Sequence, residues 1–516
     1  PAPPPVQALA VTGTTPAAGA ADVATDAQLR IRFSQDIAAS TATPAELRLH
    51  HAGGSEALAV SVAGPELSLV PQARLLPLTA YTLEIGTGVA GSGGERLAAP
   101  FSLTFTTADA SWSPASVLVP DRGTGAAYQK VLVERSGAIT LAWQQRVGTD
   151  TGVFASRYTA AGGWSTPVRL DSGPGTTTEI VLSEGRDGEV FVGFTKLDGI
   201  RYSVFASRHL AGSGWEATHP LESGTQTAHA LRVASDRAGN AVAVWYQWDG
   251  TRYDVWSAHR PAGEAWSAAA TLESFSGSAA APELAMNAQG VAFATWTHYD
   301  GIRNGVWAAR YTPATGWSGA QLVDLANSAD RIEPRIAVAP GGDALVVWSE
   351  GLHPQRIMRG SRYTGGSGWG ATVSLETAGT AESGSAAIGI DAAGNAIAAW
   401  QRFDGAVNDI WTNRYVPGQG WGTAQRMDPE HFWSESPVLS VNARGEALLA
   451  WSQETATGCC GLATARYRPA SGWAATEILA PDSTAHDAAL NDSGVGMVVW
   501  RRQDNAARSV EGRQLQ

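Results

Sequence analysis

Apolar and polar residues alternate along this chain in short runs broken by Gly, Pro, Asn and Asp, a pattern that predicts β-strands joined by tight turns. From position 112 onward the alternation is itself periodic. One column of aromatics opens strands that mostly read G-W or S-W: Trp112, Trp164, Trp215, Trp266, Trp317, Trp369, Trp421 and Trp473. A second closes a G-x-x-x-x-x-W strand: Trp143, Phe194, Trp245, Trp296, Trp348, Trp400, Trp451 and Trp500. Both recur at a spacing of about 51 residues and together hold 15 of the 20 tryptophans, none of which precedes position 112. A period of about 50 residues filled with short strands is the signature of a propeller blade.

Residues 221–273 supply the pattern of one blade. Its first strand is Ala230–Ser235, its second Asn240–Gln247, its third Arg252–His259 and its outer strand Trp266–Glu273. Eight copies of the second-strand aromatic predict eight blades. The last copy stops after its third strand at Gln516, whereas the first begins with an isolated outer-type strand, Ser111–Pro120. Strand 111–120 is therefore expected to pair in the last blade and close the ring, which removes the edge an open array would expose.

Residues 7–108 contain no Trp and do not share the repeat. Short alternating runs at Gln28–Phe33, Glu46–His50, Leu67–Val70, Tyr81–Ile85 and Phe101–Thr106 predict a β-sandwich of about 100 residues. The runs T-P-A-A-G-A-A-D-V (Thr15–Val23), L-R-I-R-F-S-Q-D-I (Leu29–Ile37), L-L-P-L-T-A-Y-T-L-E-I (Leu75–Ile85) and F-T-T (Phe105–Thr107) resemble the bacterial Ig-like domains of surface proteins. That resemblance implies a spacer or presentation module, export from the cell, and no chemistry of its own. Residues 111–516 resemble repeats of uncharacterised exported bacterial propeller proteins, a likeness that brings no assigned activity. The expected fold is all-β: a Pro-rich linker (1–6), an Ig-like β-sandwich (7–108) and an eight-bladed β-propeller (111–516).

Composition narrows the function. With 44% hydrophobic and 16% charged residues the chain is expected to be folded throughout. The net charge of −12 is spread without a basic block, so nucleic acid is not an expected partner. No apolar run is long enough for a membrane span, and no signal-peptide pattern opens the chain. The opening P-A-P-P-P-V is a stiff segment of the kind that joins a lipid anchor to a first domain, so an anchor upstream of residue 1 is one expectation. An extracellular, cell-surface or periplasmic location in a bacterium fits these features.

Most repeated polar residues read as structural. Asp or Asn before the Gly of the first turn (Asp236, Asn287, Asp391, Asn442, Asn491) caps that turn. This string resembles the Asp-box of sialidases only superficially, because it lacks the S-x-D-x-G-x-T-W spacing. Arg157, Arg208, Arg310, Arg362, Arg414, Arg466 and Arg513 read as elements that stack and hydrogen-bond between blades. Asp198, Asp249, Asp300, Asp404 and Asp504 follow the second-strand aromatic, four of them in the Asp-Gly pair of a type I′ turn. A second polar group nearby, Asp254 in one blade and Asn408 with Asp409 in another, leaves room for Ca²⁺; no metal or cofactor is otherwise expected.

Blade-specific residues gather in the second-to-third turns and in the linkers that lead into each first strand. Cys459 and Cys460 are the only cysteines and are adjacent, so in an oxidising compartment they are expected to form a vicinal disulfide, a candidate ligand-binding element whose flat sulfur surface stacks on a sugar or another planar group, or else a rigid cap on the turn. The linker D-P-E-H-F-W-S-E-S carries His431, Phe432, Trp433 and Glu435, an apolar platform with polar groups of the kind that recognises a sugar. Trp248, Tyr299 and Phe403, together with His229, extend the set of candidate ligand-binding residues. At the channel mouth, alternating charges (Lys130, Glu179, Arg232, Glu283, Glu333, Arg335, Asp487) read as a ring of ion pairs. No nucleophile elbow, zincin helix, P-loop or dinucleotide fingerprint is present, and no catalytic residue is assigned. The expectation is a non-catalytic, secreted or surface-tethered binding or adhesion protein that takes a glycan or an envelope protein. The alternatives are a polysaccharide-degrading hydrolase or lyase using channel-mouth carboxylates, and a subunit of an extracellular assembly.

Overall fold

The chain folds into strands, as the alternation predicts. The computed structural model describes residues 8–120, 125–273, 275–324, 330–377, 379, 381–428, 430–455, 458–502 and 508–516, without the side chains of 458 and 459. Among them the only helical element is one short 3-10 turn, Ala39–Thr41, and no helix is long and apolar enough to cross a membrane. The Pro-rich opening and Asp504 lie outside the described residues. Two compact units divide the chain, the first dominated by residues 1–113 and the second by residues 114–492.

The first unit holds two sheets. One runs Val11–Thr15, Leu29–Phe33, Glu66–Pro71, Leu58–Ala63 across its width; the other runs Ala20–Val23, Phe101–Thr107, Ala80–Ile85, Leu47–His51, Gly54–Glu56. Leu29, Ile31 and Phe33 are buried while Arg30 and Arg32 between them are exposed, the period-two signature of a strand with one face in the core. They meet Leu67, Leu69, Leu83, Ile85, Leu103 and Phe105 in a single apolar cluster. The edge strands Val11–Thr15, Ala20–Val23, Gly54–Glu56 and Leu58–Ala63 escape a reading by alternation because small residues blur it.

Among the described residues, eight antiparallel sheets follow in the second unit. Each of the seven that are continuous in sequence is built as first, second, third and outer strand, in that order. The eighth takes its first three strands from Ser483–Leu490, Gly496–Arg502 and Val510–Leu515, and its outer strand from Ser116–Val119. Trp112 adds a single bridge to Leu515, so the regular strand is shorter than the 111–120 expected. Every first strand touches those of the sheets before and after it, and Ala126–Val133 of the first sheet touches Ser483–Leu490 of the last.

The second-strand aromatics form the cores between sheets. Trp143, Trp245, Trp296, Trp348, Trp400, Trp451 and Trp500 are at most 1% exposed. Trp296 packs on Val242 and Val244 of the preceding sheet, and Trp451 on Ala399 and Ile410. A buried indole N–H needs an acceptor, and the residue two positions later decides whether it has one. Gln145, Gln247 and Gln453 accept from Trp143, Trp245 and Trp451 at 3.1, 2.9 and 3.0 Å. Where that position is His298, Glu350 or Arg402, the indole nitrogens of Trp296, Trp348 and Trp400 have no partner.

The outer strand is not continuous. In most sheets it consists of two short pieces, such as Gly163–Trp164 and Val168–Arg169, that both pair with the third strand. The G-W tryptophan faces an aromatic across that pairing, as in Tyr158–Trp164, His209–Trp215 and Tyr467–Trp473. The periodic Arg behind it reaches other groups: Arg208 bonds Glu189 at 2.8 Å, and Arg362 lies 5.6 Å from the Tyr415 ring of the next sheet.

Each first strand carries a register shift near its start. In seven of them a non-glycine residue there has positive φ: Tyr128, Ala230, Ala281, Glu333, Ser385, Ser436 and Ala485. Such bulges bend a strand and re-aim its side chains. Beyond them Lys130 pairs with Asp487 at 3.1 Å, and Arg232 with Glu179 at 2.6 Å and Glu283 at 2.9 Å. Arg335 reaches Glu283 at 3.2 Å, and a cavity of about 430 Å³ lies between Lys130, Glu283, Arg335 and Asp487.

Candidate ligand site on the loop side

Antiparallel order puts the second-to-third turns and the linkers between sheets at the same end of the strands. The turns are held by their aspartates. Asp249, Asp300 and Asp404 each accept, through Oδ1, the N–H groups of the residues two and three positions on. The N–H of Arg252, with the hydroxyl and N–H of Thr251, draws the Asp249 carboxyl down to about 2. Positive φ is confined to the glycines (Gly250, Gly301, Gly405), so these are not the type I′ turns expected, which need two such residues. The Asp side chain takes over the capping that a second left-handed residue would otherwise provide.

The broken outer strand leaves a third-strand N–H without a ladder partner, and a carboxylate fills the gap. Val153 N–H donates to Asp171 at 3.0 Å and Met358 N–H to Glu376 at 2.7 Å. The same position holds Glu222, Glu273, Asp324 and Asp428, and all six acids are buried. Burying a charge requires a counter-charge. Lys196 meets Asp171 at 2.6 Å, Arg201 meets Glu222 at 3.6 Å, Arg331 meets Asp324, and Arg402 meets Glu376 at 3.3 Å. Glu273 has no Lys or Arg in an ion pair among the described residues and accepts the Phe275 N–H at 2.9 Å.

Asp428 breaks this rule. It is 0% exposed, accepts from the Ser434 hydroxyl at 2.9 Å through Oδ2, and has no hydrogen-bond partner at Oδ1. The group against it is another acid, Asp409, at the start of the third strand Asn408–Val416. Burial, aided by the Asp409 charge and opposed by the Ser434 hydrogen bond, pushes the Asp428 carboxyl up to about 7.

His431 closes over this pair. Its Nδ1 lies 2.9 and 3.0 Å from the two Asp409 oxygens, and its Nε2 lies 3.5 Å from Asp404 Oδ2. Arg426, on the outer strand, brings a guanidinium nitrogen 2.9 Å from His431 Nδ1 and 3.8 Å from Asp409. Two residues on, Trp433 is 39% exposed, with its indole N–H donating to Glu435 at 3.3 Å and its ring 6.0 Å from that of Phe403. Phe432, half-buried, lies between them and accepts from the Ser434 hydroxyl through its carbonyl.

The residues singled out by sequence thus fall into separate groups. Trp433, Glu435 and Phe403 come together, with His431 and Phe432 preceding them in the same linker. His229 and Trp248 belong to a second group with Tyr202, Tyr246 and Tyr253, in which the His229 and Tyr253 rings are 6.2 Å apart and those of Trp248 and Tyr253 5.1 Å apart. Burial holds the His229 imidazole below its usual range. Tyr299 joins neither; its hydroxyl donates to the Gly301 carbonyl of its own turn. Cys460 has φ 82°, its sulfur is in a disulfide, and its carbonyl accepts from Ser483, while the Cys459 side chain lies outside the described residues.

Asp428 and Arg426 are absent from the sequence-derived site. The signal for Asp428 is legible once the repeat is aligned: an acid recurs at 171, 222, 273, 324, 376 and 428. What periodicity does not reveal is that four of these acids, Asp171, Glu222, Asp324 and Glu376, pair with a Lys or Arg, whereas Asp428 meets another acid.

Comparison with known proteins bears mainly on the first unit. Residues 5–107 match the model of a bacterial Ig-like domain. No curated protein matches the chain. Among solved structures, a protein of unknown function from Dyadobacter fermentans aligns over 79% of this chain and 99% of its own, at 12% identity and a TM-score of 0.41. A polysaccharide lyase, an ulvan lyase, aligns over 77% of this chain and 95% of its own, at 10% identity and a TM-score of 0.46. A Hadza microbial sialidase covers 96% of this chain and 98% of its own, at 10% identity and a TM-score of 0.36. These likenesses are too distant to carry a function to this chain.

Proposed function

We propose that the chain is a non-catalytic, secreted or surface-tethered bacterial binding protein, in which an Ig-like domain precedes an eight-bladed propeller that takes a glycan or envelope ligand on its loop side. The cyclic contact of the eight first strands, and the outer strand supplied to the last sheet by Ser116–Val119, support the propeller reading. Closure of that kind leaves no open edge.

The observation that carries the binding reading is Trp433. A large aromatic left 39% exposed beside Phe403, with its N–H held by Glu435, is a rigid platform with a polar rim. Sugars are recognised by such pairings of a flat apolar face with hydrogen-bonding groups. The turn tips of other sheets, at the same end, expose Ile200, Ile302 and Leu352 at 98, 88 and 70%. Apolar side chains left out at loop tips on a rigid scaffold fit a contact surface. In this reading Cys460 is paired with Cys459 and belongs to the same loop side as the platform.

The channel carboxylates are less suited to acid–base chemistry. Burial raises the Glu283 carboxyl, but the charges of Arg232 and Arg335 outweigh it and hold the group ionised below its usual range. A general acid needs the opposite shift.

The test is an array of glycans and polysaccharides probed with the full chain, followed by Trp433→Ala. Binding without turnover that weakens at least tenfold in the variant is expected. Release of reducing or unsaturated sugar by the wild-type chain would favour the hydrolase or lyase alternative, and silence across the array would turn the assignment toward a protein partner.

A further inference from the structure

We propose that Asp404, Asp409 and His431 bind a divalent transition-metal ion such as Zn²⁺ or Mn²⁺, with the buried carboxylate of Asp428 behind them.

The donors come from three separate elements: the turn after the second strand, the start of the third strand, and the linker to the next sheet. One ligand atom from each of Asp404, Asp409 and His431 lies within 4.8 Å of the others. Asp404 spends Oδ1 on its own turn, which leaves Oδ2 on the side of His431.

The second observation is independent of that convergence. Asp428 Oδ1 is fully buried, has no hydrogen-bond partner and belongs to a carboxylate set against Asp409. An unpaired oxygen on a buried acid is costly unless something positive satisfies it. In the same place on the sheets carrying Asp171, Glu222, Asp324 and Glu376, a Lys or Arg does so. Here no Lys or Arg pairs with the acid itself among the described residues: Asp409 stands against it, His431 bonds Asp409, and Arg426, at the register of Arg169, reaches Asp409 at 3.8 Å instead.

The donor chemistry selects the ion. Imidazole with carboxylates suits Zn²⁺ or Mn²⁺, whereas Ca²⁺ and Mg²⁺ take oxygen shells. The other place where sequence left room for Ca²⁺ is already neutralised, because Arg252 holds Asp254 at 2.8 Å. Arg426 meets the cluster from the outer strand, 2.9 Å from His431 and 3.8 Å from Asp409. Its side chain is 36% exposed and reaches in from the rim, so it can turn outward when an ion takes the carboxylates. This assignment stands apart from the glycan reading, since it needs neither Trp433 nor a sugar.

The test is calorimetric titration of the chelator-treated full chain with Zn²⁺ alone and with Mn²⁺ alone. One saturable site per chain is expected for at least one ion, in the micromolar range or tighter. Affinity should fall at least tenfold in Asp404→Asn and in His431→Gln, and stay unchanged in the exposed His219→Gln. Asp404 is exposed and His431 half-buried, so both variants are expected to keep the wild-type melting curve. Absence of saturable binding of either ion, or equal affinity in well-folded Asp404→Asn and His431→Gln, overturns the proposal. X-ray absorption of the metal-loaded wild-type chain needs no variant: one imidazole in an otherwise oxygen shell supports the site, and sulfur or several imidazoles refutes it.

Discussion

Asp171 and Asp428 occupy the same place in two repeats and live in opposite surroundings. Asp171 receives Lys196 at 2.6 Å, Arg169 at 2.9 Å and a backbone N–H, and although burial works against it these partners hold its carboxyl below the usual range. Asp428 receives a hydroxyl and faces Asp409, and its carboxyl is pushed up to about 7. Asp171 also caps the third-strand N–H of Val153, whereas Asp428 is held by the Ser434 hydroxyl. The counter-charge is local, and where it is missing the position is free to take on something other than structure.

The largest effect should come from breaking the satisfied site. Lys196→Met leaves a buried carboxylate short of its main partner and is expected to cost about 3 kcal/mol in urea unfolding. A change well below about 1 kcal/mol would remove the contrast with Asp428. The pH dependence follows from the lowered Asp171 carboxyl. Its contribution should be complete above the unfolded-state value, roughly pH 4, and be lost as pH falls further through the folded-state value. The stability difference between wild type and Asp171→Asn should therefore stay level from neutral pH to about 4 and shrink below it.

Next in size is Trp433→Ala, expected to weaken ligand binding at least tenfold with little loss of stability, because the ring is partly exposed and closes no sheet core. Equal losses of binding and melting temperature would instead make Trp433 a packing residue. Gln453→Leu should cost about 1 kcal/mol by orphaning the Trp451 N–H, read from chemical denaturation. The smallest expected change is Asp428→Asn in chelator-treated protein, within about 1 kcal/mol of wild type or slightly stabilising, since it removes a like charge from Asp409. A loss as large as that of Lys196→Met would show that Asp428 is structural after all.

The sequence by itself determined the all-β class, the repeat and its period, and the identity of the core aromatics, because burial on a strand face imposes a strict alternation and a repeated unit multiplies that signal. It also marked His431, Phe432, Trp433 and Glu435, whose company in one linker is unusual enough to read. The broken outer strand was not legible, since Trp266–Glu273 alternates as a whole strand would while the fold uses only Ala270–Thr271 of it. Nor was the grouping of the candidate residues. Trp248 and His229 were set beside Trp433 by residue type, yet they build a separate aromatic cluster, because which turns meet which linkers depends on register across sheets. Only the tertiary structure brought Asp404, Asp409, Asp428 and His431 together. An acid's partner is chosen by distance in space, and the Coulomb and desolvation energies that decide its protonation and its ligand do not follow spacing along the chain.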